Sequence, residues 1–443
     1  MEGLLVILFF FGLLFIRVPI AIALGVSSVI YTMFFSPVPL SMLIQSFISG
    51  LDSFTLLGVP FFILAGSIMV SGGISKRLIE FSNALLGKLV GSLGIVTVFS
   101  SLIFGAISGS GPATVASIGK IMIPAMVNEK YDRGFACSLA AVSGAFGPLI
   151  PPSIVMIVYG VSAQVSITTL FMAGILPGIL VAIALMIFAF VVARKNKFGA
   201  QFYTAAELAQ HTGATEVVEL EQKSVFVAFK RAFWGLLCPA IILGGIYSGM
   251  FTPTEAAVVA CIYALIIGVF VYKEITLSNI AQIFKDTAAT NGTILILVAC
   301  ATAFGRVLAM AHVPAAITNL ITGLSENPVV ILLLILSLVF VLGLFMEALS
   351  LLIIITPILL PIVGGLGIHP IHFGIIMTMG IAISQTTPPT GVNLFVAARI
   401  GECKVESIFR WLVPAVGVLV VVWLLLTFVP SISLVLPTVF DML

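Results

Sequence analysis

Two apolar runs, 89–103 and 118–127, flank the string FGAISGSGP at 104–112. Neither run can cross a bilayer alone, since a transmembrane helix needs about 20 apolar residues. The joining segment holds Gly105, Gly109 and Gly111 together with Ser108, Ser110 and Pro112, a composition that interrupts regular helix. Short apolar arms joined by such a tip predict a re-entrant hairpin, which enters the membrane and turns back. Irregular backbone at that depth is tolerated only where it is buried in protein or lines a site. The tip therefore places hydroxyls and free carbonyls where a dehydrated cation or a polar solute can be held.

The rest of the chain has the composition to host such a hairpin. Hydrophobic residues make up 61% of 443 and charged residues 8%, against about 25% charged in a soluble domain. The fold class expected is an all-α polytopic membrane protein, with roughly ten crossings and no sizeable soluble domain. The lipid bilayer is its environment, and no nucleic acid partner is expected. The five Cys (Cys137, Cys238, Cys261, Cys300 and Cys403) are scattered without CxxC or metal spacing, which suits reduced, packed thiols. The start, MEGLLVILFFFG, lacks a basic n-region and a small-residue cleavage site, so it is expected to remain as a membrane helix.

The segments fall into two halves. In the first repeat, 1–193, apolar segments occur at about 3–16, 18–35, 58–74, the hairpin 89–127, a broken helix 134–161, and 168–193. A polar linker at 194–225 is expected to be cytoplasmic. The second repeat, 226–443, gives 232–249, 254–272, 291–311, a second hairpin 328–363, a broken helix 371–400, and 411–430. Segments 40–57 and 273–290 are mixed and are expected to be interfacial amphipathic arms rather than spans. The Pro pair in GPLIPPS (Pro151, Pro152) recurs 237 residues later in QTTPPTG (Pro388, Pro389), and Gly105 matches Gly343 at an offset of 238. An odd number of crossings per half inverts the second copy. Lys and Arg placement supports the same topology: of 19 such residues, all but Lys120 and Arg306 fall on one side, and the connections 36–57, 162–167, 249–253, 312–327 and 364–370 carry none. Both termini are then expected on the outer side. Inverted repeats with broken midplane helices are the mark of secondary transporters.

The breaks suggest the chemistry. In SGAFGPLIPPS, Pro148, Pro151 and Pro152 remove three amide donors, and in ISQTTPPTGVN the same pair is surrounded by hydroxyls and amides. Freed carbonyls and hydroxyls suit a hard cation such as sodium, and half-helix N-termini suit a carboxylate. One candidate sodium site comprises Ser108, Gly109, Ser110, Ser143, Gly144 and Gly147. Its counterpart comprises Gly343, Met346, Ala348, Thr386, Thr387 and Pro388. The solute is expected between them, contacting Pro151, Pro152, Ser153, Arg306, Glu347, Thr390 and Asn393. The structural alternatives are close helix packing through small residues, a snorkelling Arg306 and a capping role for Glu347. Glu255, just inside a helix start, is expected to be structural. No cofactor beyond coupling sodium is expected, and no catalysis. An intramembrane protease, suggested by the GxSG-like string at 106–109, would need a His at the same depth or paired Asp. His211, His312, His369 and His372 are expected in connections, and Asp52, Asp132, Asp286 and Asp441 are peripheral. A channel normally builds its pore from several identical chains, whereas this one carries its own inverted pair.

The strings FGAISGSGPATVASIG, GAFGPLIPPS, FTPTEAA, MEALSLLIIITPILLPI and QTTPPTGVNLF, in this order over nearly the whole chain, resemble the large membrane subunit of tripartite ATP-independent periplasmic (TRAP) transporters. The resemblance is to the DctM/SiaM type and nearest its sialic acid branch. It implies a bacterial inner-membrane protein with a sodium-driven elevator mechanism, in which both hairpins slide against a scaffold including the two arms. It implies a carboxylate solute, N-acetylneuraminate first and C4-dicarboxylates as the alternative. It also implies two partners, a small four-helix membrane subunit and a periplasmic substrate-binding protein. The small subunit is expected as a separate chain, because this sequence starts directly at the first span.

Overall fold

The computed structural model describes all residues except 1, 37–38, 88, 90, 200–223 and 325–326, with backbone alone at 2–4, 277, 318–322 and 324. Most of the linker expected at 194–225, together with Lys88 and His211, therefore lies outside the described residues. Among the described residues every regular element is helical. Seven helices are long and apolar enough to cross a membrane, or eight if the bent pair Arg133–Leu149 and Ile154–Ala163 counts as one span. Glu2–Phe15, Ile20–Phe35 and Pro370–Ser384 are shorter apolar helices of 14, 16 and 15 residues.

The first hairpin has arms Ser92–Ser108 and Gly111–Asn128. Gly109, at φ +59°, closes the first arm by donating its N–H to the Gly105 carbonyl at 2.9 Å, and Pro112 fits the first turn of the second. The second hairpin has arms Pro328–Gly343 and Ala348–Gly365. Beside them run two broken helices. The first is Arg133–Ser143, the short turn Phe146–Leu149 and Ile154–Ala163; the second is Pro370–Ser384 and Val392–Ile400. The Pro151–Pro152 and Pro388–Pro389 peptide bonds are both cis. Elements starting at Ser92, Gly111, Arg133, Ile154 and Ile167 have counterparts starting at Pro328, Ala348, Pro370, Val392 and Val405, 236 to 238 residues later.

The halves interlock. Ile154–Ala163 packs on the returning arm of the second hairpin, and Val392–Ile400 packs on the returning arm of the first. The Tyr159 hydroxyl donates to the Pro370 carbonyl across the halves at 2.7 Å, and within the second half Trp423 Nε1 donates to the Ile376 carbonyl at 2.8 Å. Around this body lies a second set of helices: Leu40–Leu51, Gly58–Ser71, Pro253–Ile266 and Leu277–Met310. Thr254 donates to the Phe54 carbonyl at 3.0 Å and Asn291 to the Pro60 carbonyl at 3.4 Å, joining the two halves across this layer.

Four features differ from the sequence reading. The arm at 273–290 is not separate from the span after it. Leu277–Met310 is one helix of 34 residues, because no Pro interrupts it and isolated Gly292 and Gly305 weaken a helix without ending it. In the first half the equivalent stretch does break, at Asp52 and Ser53 before the 3-10 turn Phe54–Leu57. Two amphipathic helices, Ile74–Leu86 and Val313–Leu324, precede the hairpins at matching places, where the reading had only connections. A short helix, Ser431–Val439, ends the chain. Finally, His372 is not in a solvated connection. It is 3% exposed inside Pro370–Ser384, with Nδ1 2.7 Å from the Ser433 hydroxyl, so it holds the terminal helix in place.

Candidate functional site

The two hairpin tips meet at a cavity of about 320 Å³. Ser108, Gly109 and Ser110 line it from the first tip, Glu347 and Ala348 from the second, and Pro148, Ile154 and Gln385 from the broken helices. The surrounding layer closes it with Gly66 and Ser67 on one helix and Thr290 and Ile294 on another. Close approach is built into the sequence here. A methyl group on Gly66 would meet the Ser108 carbonyl oxygen at 3.3 Å, and one on Gly109 would meet the Pro152 carbonyl oxygen at 2.8 Å. One on Gly147 would collide with the peptide between Ser110 and Gly111. The first expected cluster is therefore assembled in space, with tip and break in backbone contact.

Within it, the Ser108 and Thr114 hydroxyls lie 2.9 Å apart, and Thr114 Oγ1 donates to the Ser110 carbonyl at 2.9 Å. Beside the tip is a cradle. A methyl on Gly111 would sit 2.9 Å from the Gly144 carbonyl oxygen, 3.0 Å from Gln385 Oε1 and 3.0 Å from Asn393 Nδ2. Both amide atoms of Asn393, Gln385 Oε1 and the Ser143 hydroxyl are buried without a hydrogen-bond partner. Buried polar atoms are nearly always partnered, and each orphan costs about 1–3 kcal/mol. Three of these four atoms are oxygens in one neighbourhood, which includes both broken helices, and they fit a ligand that takes oxygen donors; the fourth, Asn393 Nδ2, is an N–H donor. Among the described residues no three His, Cys, Asp or Glu gather. The donors on offer are carbonyl, hydroxyl and amide oxygens, the set a hard monovalent cation takes.

The second cluster is built differently. Thr386 and Thr387 both donate to the Ile383 carbonyl, at 2.7 and 2.9 Å. Thr390, expected to touch solute, instead ties the break to the hairpin tip: its N–H and hydroxyl donate to the Leu344 carbonyl at 3.1 and 2.8 Å. Gly343 packs directly under the Ser384 side chain, with Pro388 in the turn beyond. Met346 departs from the expectation. Its side chain lines a small apolar cleft with Ile7, Phe10 and Leu338, and a thioether there offers no hard oxygen ligand.

Glu347 has the capping role expected as one alternative, and it also stands on the cavity wall. Its Oε2 caps the returning arm, accepting from the N–H groups of Leu349 and Ser350 at 3.0 and 3.2 Å. Among the described residues the same carboxyl is the one ionisable group lining the tip cavity. Ser153 is committed to the fold: its hydroxyl donates to the Pro148 carbonyl and accepts from the Met156 N–H at 3.3 Å. Pro151 shares this turn. Glu255 completes a capping box with Thr252, accepting from its N–H at 2.8 Å, which fits the structural role expected.

Arg306 is elsewhere. It lines a larger cavity of about 730 Å³ with Ser49, Ser53, Gln164, Ser166 and Thr302, so it does not reach the tip cavity, where a solute contact had been expected. The two cavities are nonetheless in series. Thr290 and Ile294 line the first, and Val298, Ala301, Thr302 and Gly305 line the second. Steps of three and four residues put Thr290, Ile294, Val298, Ala301 and Gly305 on one face of the helix Leu277–Met310, with Thr302 at its edge. Thr290 and Thr302 are then about 18 Å apart along it.

Sequence reasoning missed Gln385, Gly66, Ser67 and Thr290. Gln385 sits in the QTTPPTG string and was legible as part of the break, although not as a wall of the cavity. The other three lie on helices with no local mark of function, and only the fold brings them to the tips.

Comparison with known proteins agrees with this architecture. Two solved transporters share the fold: Alcanivorax borkumensis YdaH, with a TM-score of 0.62 at 18% identity over 98% of this chain and 99% of that one, and Neisseria gonorrhoeae MtrF, with a TM-score of 0.59 at 12% identity over 97% and 94%. Three curated relatives are permeases. The isethionate TRAP transporter permease protein DctMQ of Oleidesulfovibrio alaskensis is 41% identical over 95% of this chain, which spans 64% of that protein's length. The sialic acid TRAP transporter large permease protein SiaM of Vibrio cholerae is 37% identical over 97% of both chains. The C4-dicarboxylate TRAP transporter large permease protein DctM of Pseudomonas aeruginosa is 37% identical over 94% of this chain and 93% of that one. Residues 7–432 match the family described as "Tripartite ATP-independent periplasmic transporter, DctM component", and the chain, a transporter permease rather than an enzyme, belongs to that family.

Proposed function

We propose that this chain, as the large permease of a TRAP transporter, drives sodium-coupled uptake of a small organic acid across the bacterial inner membrane. The observation that carries the reading is the tip cavity. It is lined from both repeats, it lies beside a cradle with three orphaned oxygens, and among the described residues its one ionisable group is the Glu347 carboxyl. An anionic solute entering such a cavity meets like charge in a low-dielectric setting. Charge compensation by cations held at the neighbouring oxygens removes that obstacle and makes solute binding depend on the cation. The first cluster has the stronger case as a sodium site, with Ser143, Gly144, Gln385 and Asn393 supplying oxygens next to Ser108 and Ser110. In the second, Thr386 and Thr387 would supply theirs.

The cavity lies between the hairpin body and the surrounding helices, as an elevator requires. The continuous face of Leu277–Met310 offers a fixed surface past which the hairpin body can slide. With both termini periplasmic, the Arg306 cavity faces outward. Its guanidinium would draw an anion in before the tips receive it. A small four-helix membrane subunit and a periplasmic substrate-binding protein complete the transporter in this reading. N-acetylneuraminate is the first substrate to test, with C4-dicarboxylates and isethionate beside it, because the relatives divide among these acids.

The test is uptake into proteoliposomes containing this chain, its small subunit and its binding protein, with each labelled acid, under an inward sodium gradient or none. Concentrative uptake of one acid only under the gradient is expected. Equal equilibration with and without sodium would overturn the reading in favour of a passive pore.

A further inference from the structure

A third cavity, of about 380 Å³, lies away from both others, where the amphipathic helix Ile74–Leu86 meets Val225–Tyr247 and the π-helical turn Ile267–Val271. Four cations line it, Lys76, Arg77, Lys230 and Arg231, against two carboxylates, Glu80 and Glu274. The arginines are engaged. Arg77 donates to Glu274 and to the Gly73 carbonyl, both at 2.8 Å, and lies 3.9 Å over the Tyr272 ring. Arg231 is 3.8 Å from Glu80, and its carbonyl accepts from the Tyr272 hydroxyl at 2.9 Å. Lys76 and Lys230 form no ion pair among the described residues. The cavity is thus a positive, half-open bowl with two uncommitted ammonium groups.

The elements that line it also expose apolar rings. Phe226, Phe229 and Phe233 succeed one another at helical spacing on Val225–Tyr247, the helix that carries Lys230 and Arg231, and are all exposed, as is Phe270, next to Val271 on the adjoining turn. Trp234 on the same helix lines the cavity itself. A basic bowl whose walls continue into exposed aromatic rings matches an anionic phospholipid, with the phosphate between the lysines and the chains along the phenylalanines. Basic pockets between helices at the cytoplasmic end are the usual form of such recognition. The Lys and Arg distribution places this end in the cytoplasm.

We propose that this cavity binds the headgroup phosphate of an anionic phospholipid between Lys76 and Lys230. The consequence is mechanical. Ile74–Leu86 is the covalent link from Gly58–Ser71 in the surrounding layer to the first hairpin arm, and it packs on that arm as well as on Val225–Tyr247. A lipid bridging Lys76 and Lys230 fastens this link to the second half of the scaffold, so lipid occupancy sets how freely the link moves.

Native mass spectrometry of the purified membrane complex, incubated with phosphatidylglycerol or phosphatidylcholine, tests the site. Lys76→Gln with Lys230→Gln should lower retained phosphatidylglycerol by about tenfold or more and leave phosphatidylcholine unchanged. Lys76→Arg with Lys230→Arg should restore retention, and Lys195→Gln with Lys197→Gln, outside this cavity, should not reduce it. Added phosphatidylglycerol should raise the melting temperature of the unaltered protein and not that of the double Gln variant. Equal retention in the double Gln variant would overturn the proposal. So would displacement of the lipid by inorganic phosphate alone, or loss of the small subunit in place of lipid.

Discussion

The two hairpin tips occupy equivalent places and have opposite chemistry. The first turns in two residues, Gly109 and Ser110, is uncharged, and lies backbone to backbone against Gly147 and Pro152. The second takes Leu344 to Glu347 to turn, carries a carboxylate, and is tied to its break by the Thr390 side chain. The first tip is held by the absence of side chains, and the second by their presence. A duplicated backbone has thus kept its path while one copy became an oxygen-lined seat and the other a charged cap. The first tip tolerates no added volume, and the second tolerates volume better than loss of a polar group.

The largest contrast should come from adding one methyl to each side. Gly147→Ala drives a Cβ into the peptide of the opposing tip, which cannot rotate away, and uptake per inserted transporter should fall by roughly a hundredfold. Gly343→Ala meets the Ser384 side chain, which can change rotamer, so the loss should be under tenfold. Equal losses would break the comparison. Glu347→Gln comes next. It removes the one ionisable group that lines the tip cavity among the described residues and weakens a cap whose bonds to an ionised carboxylate are worth about 1.5–3 kcal/mol each. Uptake should drop by at least tenfold, with a melting temperature a few degrees lower. Retention of wild-type uptake would confine Glu347 to capping.

Smaller effects sharpen the difference between the two proposed sodium clusters. Ser108→Ala should raise the sodium concentration for half-maximal uptake by about fivefold, the scale of one hydrogen bond of about 1 kcal/mol. Thr386→Ala, whose hydroxyl already serves the Ile383 carbonyl, should raise it about twofold; a reversed order would make the second cluster the tighter seat. The smallest effect belongs to Arg306→Gln. Removing a steering charge should slow uptake about twofold at low ionic strength and leave it unchanged at high salt, where screening already removes the attraction.

The sequence made the interruptions legible and left their neighbours obscure. The Gly–Ser tip and the Pro pairs stand out because they violate the local rules of membrane helices, and the structure breaks the helices there. Asn393 and Gly144, placed in different groups by sequence, meet across Gly111 because Val392–Ile400 crosses to the opposite hairpin, a pairing no local spacing records. Ile74–Leu86 escaped notice because Lys76, Arg77 and Glu80 make it read as a connection, although its alternate face is buried. The continuity of Leu277–Met310 was missed because a polar beginning, with Lys285 and Asp286, suggested an interfacial segment. Arg306 was read as one charge in one span, whereas its role is set by the walls around it.

That unbroken helix carries a consequence of phase. Because Thr290, Ile294, Val298, Ala301 and Gly305 share a stripe that Thr302 borders, the separation between the cavities is locked to the helical repeat. One residue inserted between Thr290 and Thr302 would rotate everything beyond it by about 100° and turn Thr302 and Gly305 away from the groove. Four would bring them back to within about 40° while lengthening the interval by about 6 Å. The spacing between the two cavities along this wall can therefore change only by about whole turns if both are to keep facing the same side, and a related permease with a different spacing should differ by three, four or seven residues here.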